Sequence, residues 1–326
     1  MLVGLTYDLR EEYIAQGFSE EETAEFDRPD TIEAIEKNLN ILGYQTERIG
    51  NIKNLAILLV NGKRWDIVFN ICEGMYGISR EAQVPALLDA YNIPYVFSNA
   101  LVLSLTLHKG LTKQIIRDSN INTPDFNIIY NQKDIKKIDL DFPLFAKPVA
   151  EGTGKGINEK SVIKNKKELE QICISLLEKY KQPVLIETYL PGREFTVGIV
   201  GTGDEAKVVG IIEIILKNNA EKNVYSYLNK EECETLVDYV YVEGDIAEQC
   251  KELALKSYKS LGCEDAARID IRCDKNSIPN FIEINPLAGL HPEHSDLPIL
   301  CKINGIEYNT LIKMIMDSAI KKIKNK

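Results

Sequence analysis

The sequence predicts an α/β protein with more than one domain, and three observations predict it. Strand-like and helix-like patterns alternate through the first third of the chain, the arrangement that builds a small parallel sheet with crossover helices. A break at Ile121-Asn122-Thr123-Pro124 interrupts that pattern and marks a boundary. At 326 residues the chain is too long for one small core and long enough for two or three domains.

In chain order, residues 1–7 read as a short strand. Residues 11–30 are acidic and irregular, with Glu20-Glu21-Glu22, and read as a partly helical loop. Asp30 and Thr31 can cap a helix with the apolar stripe Ile32, Ile35, Leu39 and Leu42, stopped by Gly43. A strand over 44–49, a short helix over 55–60, a buried strand over 65–71, a helix over 81–91 and a strand over 95–97 follow. No GxGxxG follows the first strand, which argues against a dinucleotide-binding domain. Residues 100–118 read as one helix. Strands are expected at 142–148, 183–190, 192–200 and 208–215, with helices at 168–180, 245–261 and 308–323. Residues 218–238 are polar without a sustained period; so long a loop in a compact chain is either a mobile lid or a variable surface insertion.

Composition is ordinary for a globular protein, with 44% hydrophobic and 27% charged residues. The net charge of −10 argues against non-specific binding to nucleic acid or an anionic membrane, yet leaves room for a local basic pocket. Seven cysteines, an odd number without a CxxC pair, read as reduced thiols of a cytoplasmic protein. No apolar stretch approaches the ~18 residues of a membrane span, and no basic-then-apolar leader opens the chain.

The chemistry concentrates in a hairpin. Ala267-Arg268-Ile269-Asp270-Ile271-Arg272 and Phe281-Ile282-Glu283-Ile284-Asn285 read as two strands joined by a turn at Asp274, Asn276, Ser277 and Pro279. Residues two apart share a face, so Asp270, Glu283 and Asn285 form an oxygen-rich cluster when the two faces coincide. Phe281 is expected on that face, with Ile282 and Ile284 opposite. Two carboxylates ~4 Å apart repel by roughly 4 kcal/mol in a protein-like dielectric, which calls for a cation between them. The donor set suits Mg²⁺ better than Ca²⁺ or zinc; the alternative is a surface hairpin with solvated charges.

A second feature is Glu151-Gly152-Thr153-Gly154-Lys155-Gly156, directly after the strand ending Lys147-Pro148. Such a loop either turns tightly or lets backbone N–H groups approach phosphate; the P-loop spacing is absent. His291 and His294 raise a zinc reading, but a substrate loop fits Pro292 between them better. Cys72 reads as core.

Together these motifs resemble the ATP-grasp superfamily, and within it the D-alanine–D-alanine ligases and their relatives. The resemblance covers nearly the whole chain and is strongest from 101 to 298. It implies a three-part architecture: an N-terminal Rossmann-like parallel sheet over 1–99, and two α+β subdomains over 100–186 and 187–326 that clamp ATP. It implies that Lys109 and Lys147 contact ATP phosphates, with Glu151, Gly152, Thr153 and Gly154 as the phosphate loop. Glu187 and Leu190 correspond to the adenine hinge and Glu194 to the ribose ligand. Tyr225-Ser226-Tyr227-Leu228-Asn229-Lys230 is similar to the family's lid motif and makes Lys230 a γ-phosphate ligand. Asp270, Glu283 and Asn285 match the Mg²⁺ ligands, two ions in the family, with Mn²⁺ able to substitute. Arg268 and the Gly289 N–H match the groups that stabilise the tetrahedral intermediate. The implied partners are small amino-acid-like substrates, with no nucleic acid and no membrane, and a homodimer.

The departures concern the substrate. The N-terminal loop Thr6-Tyr7-Asp8-Leu9-Arg10-Glu11-Glu12 lacks the family's glycines, leaving Glu11 or Glu12 to hold an ammonium group. The family's histidine is gone from the stretch 70–81, and Arg80 enters as a carboxylate ligand or a solvated surface charge. The loop after Asn285 is one residue longer than usual and keeps Ser295-Asp296-Leu297-Pro298, similar to a segment that binds the second substrate, with Ser295 and Leu297 as the contacts. His108 replaces an acidic residue without an evident reason. The readings left open are a D-alanine–D-alanine ligase, a ligase of the same fold for another amino acid, hydroxy acid or natural-product amide, and a non-catalytic nucleotide-binding protein.

Overall fold

The structure, a computed structural model, describes residues 1–222 and 224–324. Residue 223, inside the expected lid, and residues 325–326 lie outside the described residues. Three sheets organise the chain. Strands β1 (Leu2–Thr6), β2 (Gln45–Gly50) and β3 (Ile67–Asn70) form a parallel sheet in the order β2-β1-β3. Strands β4 (Phe126–Ile129), β5 (Leu144–Pro148), β6 (Val162–Ile163) and β7 (Val184–Thr188) form an antiparallel sheet, β4-β7-β5-β6. Strands β8 (Glu194–Val200), β9 (Lys207–Leu216), β10 (Val237–Tyr241), β11 (Ala266–Cys273) and β12 (Pro279–Asn285) form the largest sheet, β10-β9-β8-β11-β12, antiparallel throughout.

The large sheet is covered on both faces. Phe195, Val197, Ile199, Ile269 and Ile271 pack with Cys250, Ala254 and Tyr258 of the helix Asp245–Ser260. On the other face the helix Asp296–Ile303 lies close to β8: a Cβ on Gly198 would meet Leu300 Cδ1 at 2.7 Å and Leu297 Cδ1 at 2.8 Å. That close approach brings the helix's first residue, Asp296, to Arg268 on β11. The same cluster continues through Leu311, Ile315 and Met316 of the last helix into Val3, Leu5 and Phe69 of the parallel sheet.

Several elements differ from the sequence reading. The expected strand at 95–97 is a single bridge from Tyr95 to Val68. Arg28, not Asp30, is the N-cap of the helix Pro29–Ile41, with proline at its first position, where a missing N–H costs nothing. The expected lid carries the short helices Tyr227–Glu231 and Cys233–Leu236, and β10 follows directly.

The helix expected over 100–118 is two helices, Ala100–Leu107 and Lys109–Asp118. His108 breaks it with ψ 84 and caps the second helix, its Nδ1 accepting the Leu111 N–H at 3.2 Å. An acceptor ring nitrogen at this cap gives the residue its reason. Burial holds its pKa below the usual histidine value, which keeps that nitrogen unprotonated. The break starts a helix at Lys109, whose N–H donates to Val149 O at 2.9 Å, so the lysine is delivered to the glycine loop.

The hairpin carries one further correction. Asp270 pairs with Glu283 and Arg268 with Asn285, but Ile271 pairs with Phe281, leaving Ile282 as a bulge. The alternation reverses there. Phe281 enters the core with Ile271 and Ile284, while Ile282 joins Glu283 at a cavity wall. Bulges re-aim side chains in this way and are frequent beside active sites.

Candidate active site

Two cavities open along the β11–β12 hairpin. The first is lined by Lys109, Gly152, Thr153, Arg268, Asn285, Gly289, Ser295, Asp296 and Leu297, and by Glu25, Asp27, Glu73 and Glu81 from the N-terminal part. The second is lined by Phe145, Lys147, Ile157, Glu187, Tyr189, Leu190, Glu194, Asp270, Arg272, Ile282 and Glu283. Tyr225 and Lys230 line both, so the segment expected as a lid forms the partition between them.

The carboxylates of the hairpin stand among cations. Glu283 lies 3.8 Å from Lys109 Nζ and 3.6 Å from Lys147 Nζ. Burial works against its ionisation, but Lys109, Lys147, Lys230 and Arg268 outweigh it and hold the carboxyl well below the usual range. Asp270 moves the other way: burial pushes it up to about 6, against Arg268 and Lys230. Glu283 therefore ionises first of the pair. Among the described residues no group of three or more His, Cys, Asp or Glu side chains is placed to hold a metal. The trio here is two carboxylates and an amide, hard oxygens without thiol or imidazole, and among the described residues the Asn285 Nδ2 is buried without a partner. That donor set fits Mg²⁺, which takes few protein ligands and completes its shell with water and phosphate oxygens.

Glu187, at the end of β7, sits between Lys113 (2.9 Å) and Lys147 (3.3 Å). Lys113 is fully buried, donates to Thr123 Oγ1 at 2.8 Å, and is pushed down to about 8 by burial against the pull of Glu187. Leu190 is buried in the same wall, and Glu194 pairs with Arg272 at 3.3 Å.

Arg268 has its fork divided. One terminal nitrogen donates to Asp296 Oδ2 at 2.5 Å, and the other lies 3.2 Å from Asp270 Oδ2. Its Nε–H is buried without an acceptor among the described residues. Asp296 Oδ1 accepts from the Tyr239 hydroxyl at 3.2 Å and the Tyr225 hydroxyl at 3.4 Å. Gly289 lies against Ser295, where a Cβ would meet the hydroxyl oxygen at 2.7 Å, and Ser295 Oγ accepts the His291 N–H at 3.0 Å.

The glycine loop is held from the N-terminal part. Glu25 accepts the Gly152 N–H at 2.5 Å, pairs with Lys155 at 2.9 Å, and accepts from Arg80 at 2.9 Å. A Cβ on Gly154, at φ +73, would meet the backbone N of Tyr227 at 2.8 Å, so the lid lies on the loop. Gly152 and Thr153 face the first cavity. Glu151 instead receives Gln182 at 2.6 Å and pairs with Lys155 at 2.6 Å, while its backbone oxygen accepts from Lys109 Nζ at 2.5 Å. Neither Glu151 nor Gly154 lines either cavity.

Two substrate contacts expected from the sequence are placed elsewhere. Glu11 is exposed and faces a shallow surface pocket with Arg10, Arg28 and Glu33. Arg80 is 6% exposed, neither solvated nor free: besides Glu25 it donates to Ala150 O at 2.8 Å. Ser295 and Leu297 do line the first cavity, as do His291 and His294. The His291 Nδ1 accepts backbone N–H groups of Glu293 and His294, which fits a loop role over a metal one. Cys72 is buried in the core, as the sequence predicts.

Glu25, Lys113, Tyr239 and Asp296 are the parts that the sequence did not single out. Glu25 lies in a stretch without periodicity. Asp296 stands inside a quoted motif, but nothing local shows that its carboxylate turns back to Arg268.

The chain is similar to known proteins in both sequence and fold. The family model described as D-ala D-ala ligase C-terminus matches residues 115–317. The D-alanine–D-alanine ligase of Aquifex aeolicus is 31% identical over 291 residues, 88% of this chain and 93% of that protein. D-alanine–D-alanine ligase A of Bacillus cereus is 31% identical over 271 residues, 81% of this chain and 84% of that protein. The crystal structure of the Bacillus anthracis D-alanine–D-alanine ligase complexed with ATP superposes with a TM-score of 0.74 at 25% identity, covering 100% of this chain and 99% of that one. The expected ATP-grasp architecture is thus the observed one, and the chain belongs to the D-alanine–D-alanine ligase family of ATP-grasp ligases.

Proposed function

We propose that this ATP-dependent ligase joins a small amino-acid-like carboxylate to an amine through an acyl phosphate, with ATP in the second cavity and the reacting groups in the first. The observation that carries the reading is the shared partition. Lys230 lines both cavities, where a γ-phosphate from one side would meet a carboxylate from the other. The buried, unpartnered Nε–H of Arg268 supports it. Leaving such a donor unpaired costs roughly 1–3 kcal/mol, a cost that suits a group whose acceptor forms during the reaction.

Leu190, Glu187 and Glu194 receive the nucleoside, and Lys109 and Lys147 the phosphates, with Gly152 and Thr153 beside them. Mg²⁺ held by Asp270, Glu283 and Asn285, or Mn²⁺ in its place, would neutralise phosphate charge when bound. Phosphoryl transfer needs alignment and charge neutralisation more than a covalent protein group. The donor's carboxylate oxygen bonds to the γ-phosphorus as ADP leaves. The amine nitrogen then bonds to the acyl carbon, phosphate leaves, and the amine gives up its proton. Arg268 Nε–H and the Gly289 N–H stabilise the oxyanion between those events. Tyr225 and Lys230 on the lid exclude water from the acyl phosphate. A nucleotide-binding protein without turnover would have no use for an oxyanion donor.

We place the protein in the cytoplasm, since all seven cysteines are free and buried. No helix among the described residues is long and apolar enough to cross a membrane. Dimerisation is part of the same proposal and is read by light scattering. The chemistry is tested by ADP release with Mg²⁺ and ATP across D- and L-amino acids, hydroxy acids and dipeptides, with mass spectrometry of products. Substrate-dependent ADP release with a matching condensed product is the expected result.

A further inference from the structure

We infer that Arg10 and Glu231 are a positioning pair for the reaction: Arg10, on the N-terminal part, holds the lid helix Tyr227–Glu231 so that Lys230 stays at the partition between the two cavities. The inference rests on the ligase reading above and goes beyond it by naming what keeps the partition shut.

Arg10 opens the helix Arg10–Ala15, and its N–H donates to Asp27 O at 2.9 Å, which fixes its backbone. Its Nη1 donates to Glu231 Oε2 at 3.3 Å, and its Nη2 to Glu20 O at 3.2 Å. The two side chains are only 16% and 22% exposed, and a partly buried pair is screened less than one in open solvent. Both face the first cavity. Burial raises the Tyr227 hydroxyl, Glu231 adds to the rise and Arg10 opposes it, so three side chains share this corner.

Glu231 ends the lid helix and Lys230 directly precedes it, so a hold on Glu231 is a hold on the Lys230 backbone. Asn229, fully buried, carries the hold further. Its side chain accepts the Glu221 N–H at 3.0 Å and donates to Glu221 O and Val224 O at 2.9 Å each, tying the helix to the residue before Tyr225. Elsewhere the segment rests on Gly154 of the glycine loop and on residues after β12: the Tyr225 hydroxyl reaches Asp296, and Cys233 Sγ lies 3.7 Å from His294 Nδ1. Among the described residues, Arg10 to Glu231 is the one ion pair from the lid segment to residues 1–99, which supply the opposite wall of the first cavity.

The consequence is coupling. With the lid held, the acyl phosphate meets only the amine. With the lid raised, water bonds to the acyl carbon and phosphate leaves. The donor carboxylate is then returned, and the net reaction is ATP hydrolysis.

The test counts ADP and condensed product together, with Mg²⁺, ATP and the substrate pair that the panel identifies. It compares the wild type with Arg10→Gln, Glu231→Gln and the double variant, each checked by its melting curve. Each single variant is expected to release about two- to fivefold more ADP per product at a similar KM for ATP, the range set by one partly exposed ion pair. The double variant should match the singles, because both remove the same contact. Added salt should raise the ratio in the wild type and not in Glu231→Gln. With ATP and Mg²⁺ present, trypsin should cut after Lys222 or Lys230 faster in each single variant. If one variant does not fold, the other and the salt dependence of the wild type decide. An unchanged ratio or unchanged cleavage in both single variants, or effects that multiply in the double variant, overturns the pairing and leaves the ligase reading standing. No Mg²⁺- and ATP-dependent product from the wild type with any pair overturns both.

Discussion

Asp270 stands directly opposite Glu283 across the β11–β12 pair, and the two carboxyls titrate in opposite directions. Glu283 is held low by surrounding lysines and Arg268, whereas burial pushes Asp270 up to about 6, so added positive charge would favour the ionised pair. A divalent cation held between them would supply that charge. Asp270→Asn should therefore weaken Mg²⁺-dependent nucleotide binding by about tenfold or more, a typical loss for one carboxylate ligand. Calorimetric titration of ATP with and without Mg²⁺ measures it, and an unchanged Mg²⁺ dependence would count against the metal assignment.

Removing the proposed oxyanion donor should separate binding from turnover. Arg268→Ala should keep ATP affinity within a few-fold and lower product formation by roughly 10²–10³ or more. Because Arg268 also neutralises Asp270 and Asp296, the melting temperature of the variant is measured beside its kinetics. Product formation at the wild-type rate would sink this part of the mechanism.

Lys113 holds Glu187 from inside the core and touches neither cavity. Lys113→Met should destabilise the fold by about 3–5 kcal/mol, the usual penalty for removing one member of a buried pair. The variant should also bind ATP more weakly, since Glu187 is then held only by Lys147. Chemical denaturation and ATP titration read the two effects.

Glu25 gives a pH dependence of known sign. Burial opposes its ionisation, but Arg80 and Lys155 hold it down to about 2 from an ordinary 4.5. A depressed carboxyl stabilises the folded state fully above the unfolded value, and that contribution is lost as pH falls from about 4.5 through about 2. It is of the order of 3 kcal/mol at neutral pH. The stability gap between the wild type and Glu25→Gln should be largest at pH 7 and shrink below about 4.5. A gap that is constant from neutral to acid pH would show that the ion pairs to the glycine loop contribute nothing.

What was legible in the sequence is what a strand's period of two can carry. Arg268 and Asp270 on one strand, and Glu283 and Asn285 on the other, alternate with apolar residues, so the face each pair shares follows from spacing, and the register of the hairpin brings the two faces together. The bulge at Ile282 does not, because it is decided by pairing with β11, and it turns Phe281 to the face opposite the one that spacing predicts. The helix break at His108 depends on Val149 and on a ring nitrogen acting as a cap, neither of which shows in a helical pattern. Arg80 and Glu25 find each other across 55 positions, in segments without periodicity, and no local rule predicts such a pair. Glu11 stands in the first loop, where an ammonium ligand is expected, but its helix, Arg10–Ala15, turns it to solvent. Asp296 reaches Arg268 from the helix Asp296–Ile303, which lies close on β8 where Gly198 leaves room for Leu297 and Leu300, a tertiary approach that no local pattern shows.

The central claim is ATP-driven joining of a carboxylate to an amine, and the most direct measurement is mass spectrometry of the products alongside ADP release. With ATP, Mg²⁺ and a cognate pair, the account predicts one condensed product per ADP, lost in Arg268→Ala while ATP binding persists. ATP hydrolysis without any condensed product across the whole panel, or product formation unaffected by Arg268→Ala, would contradict it.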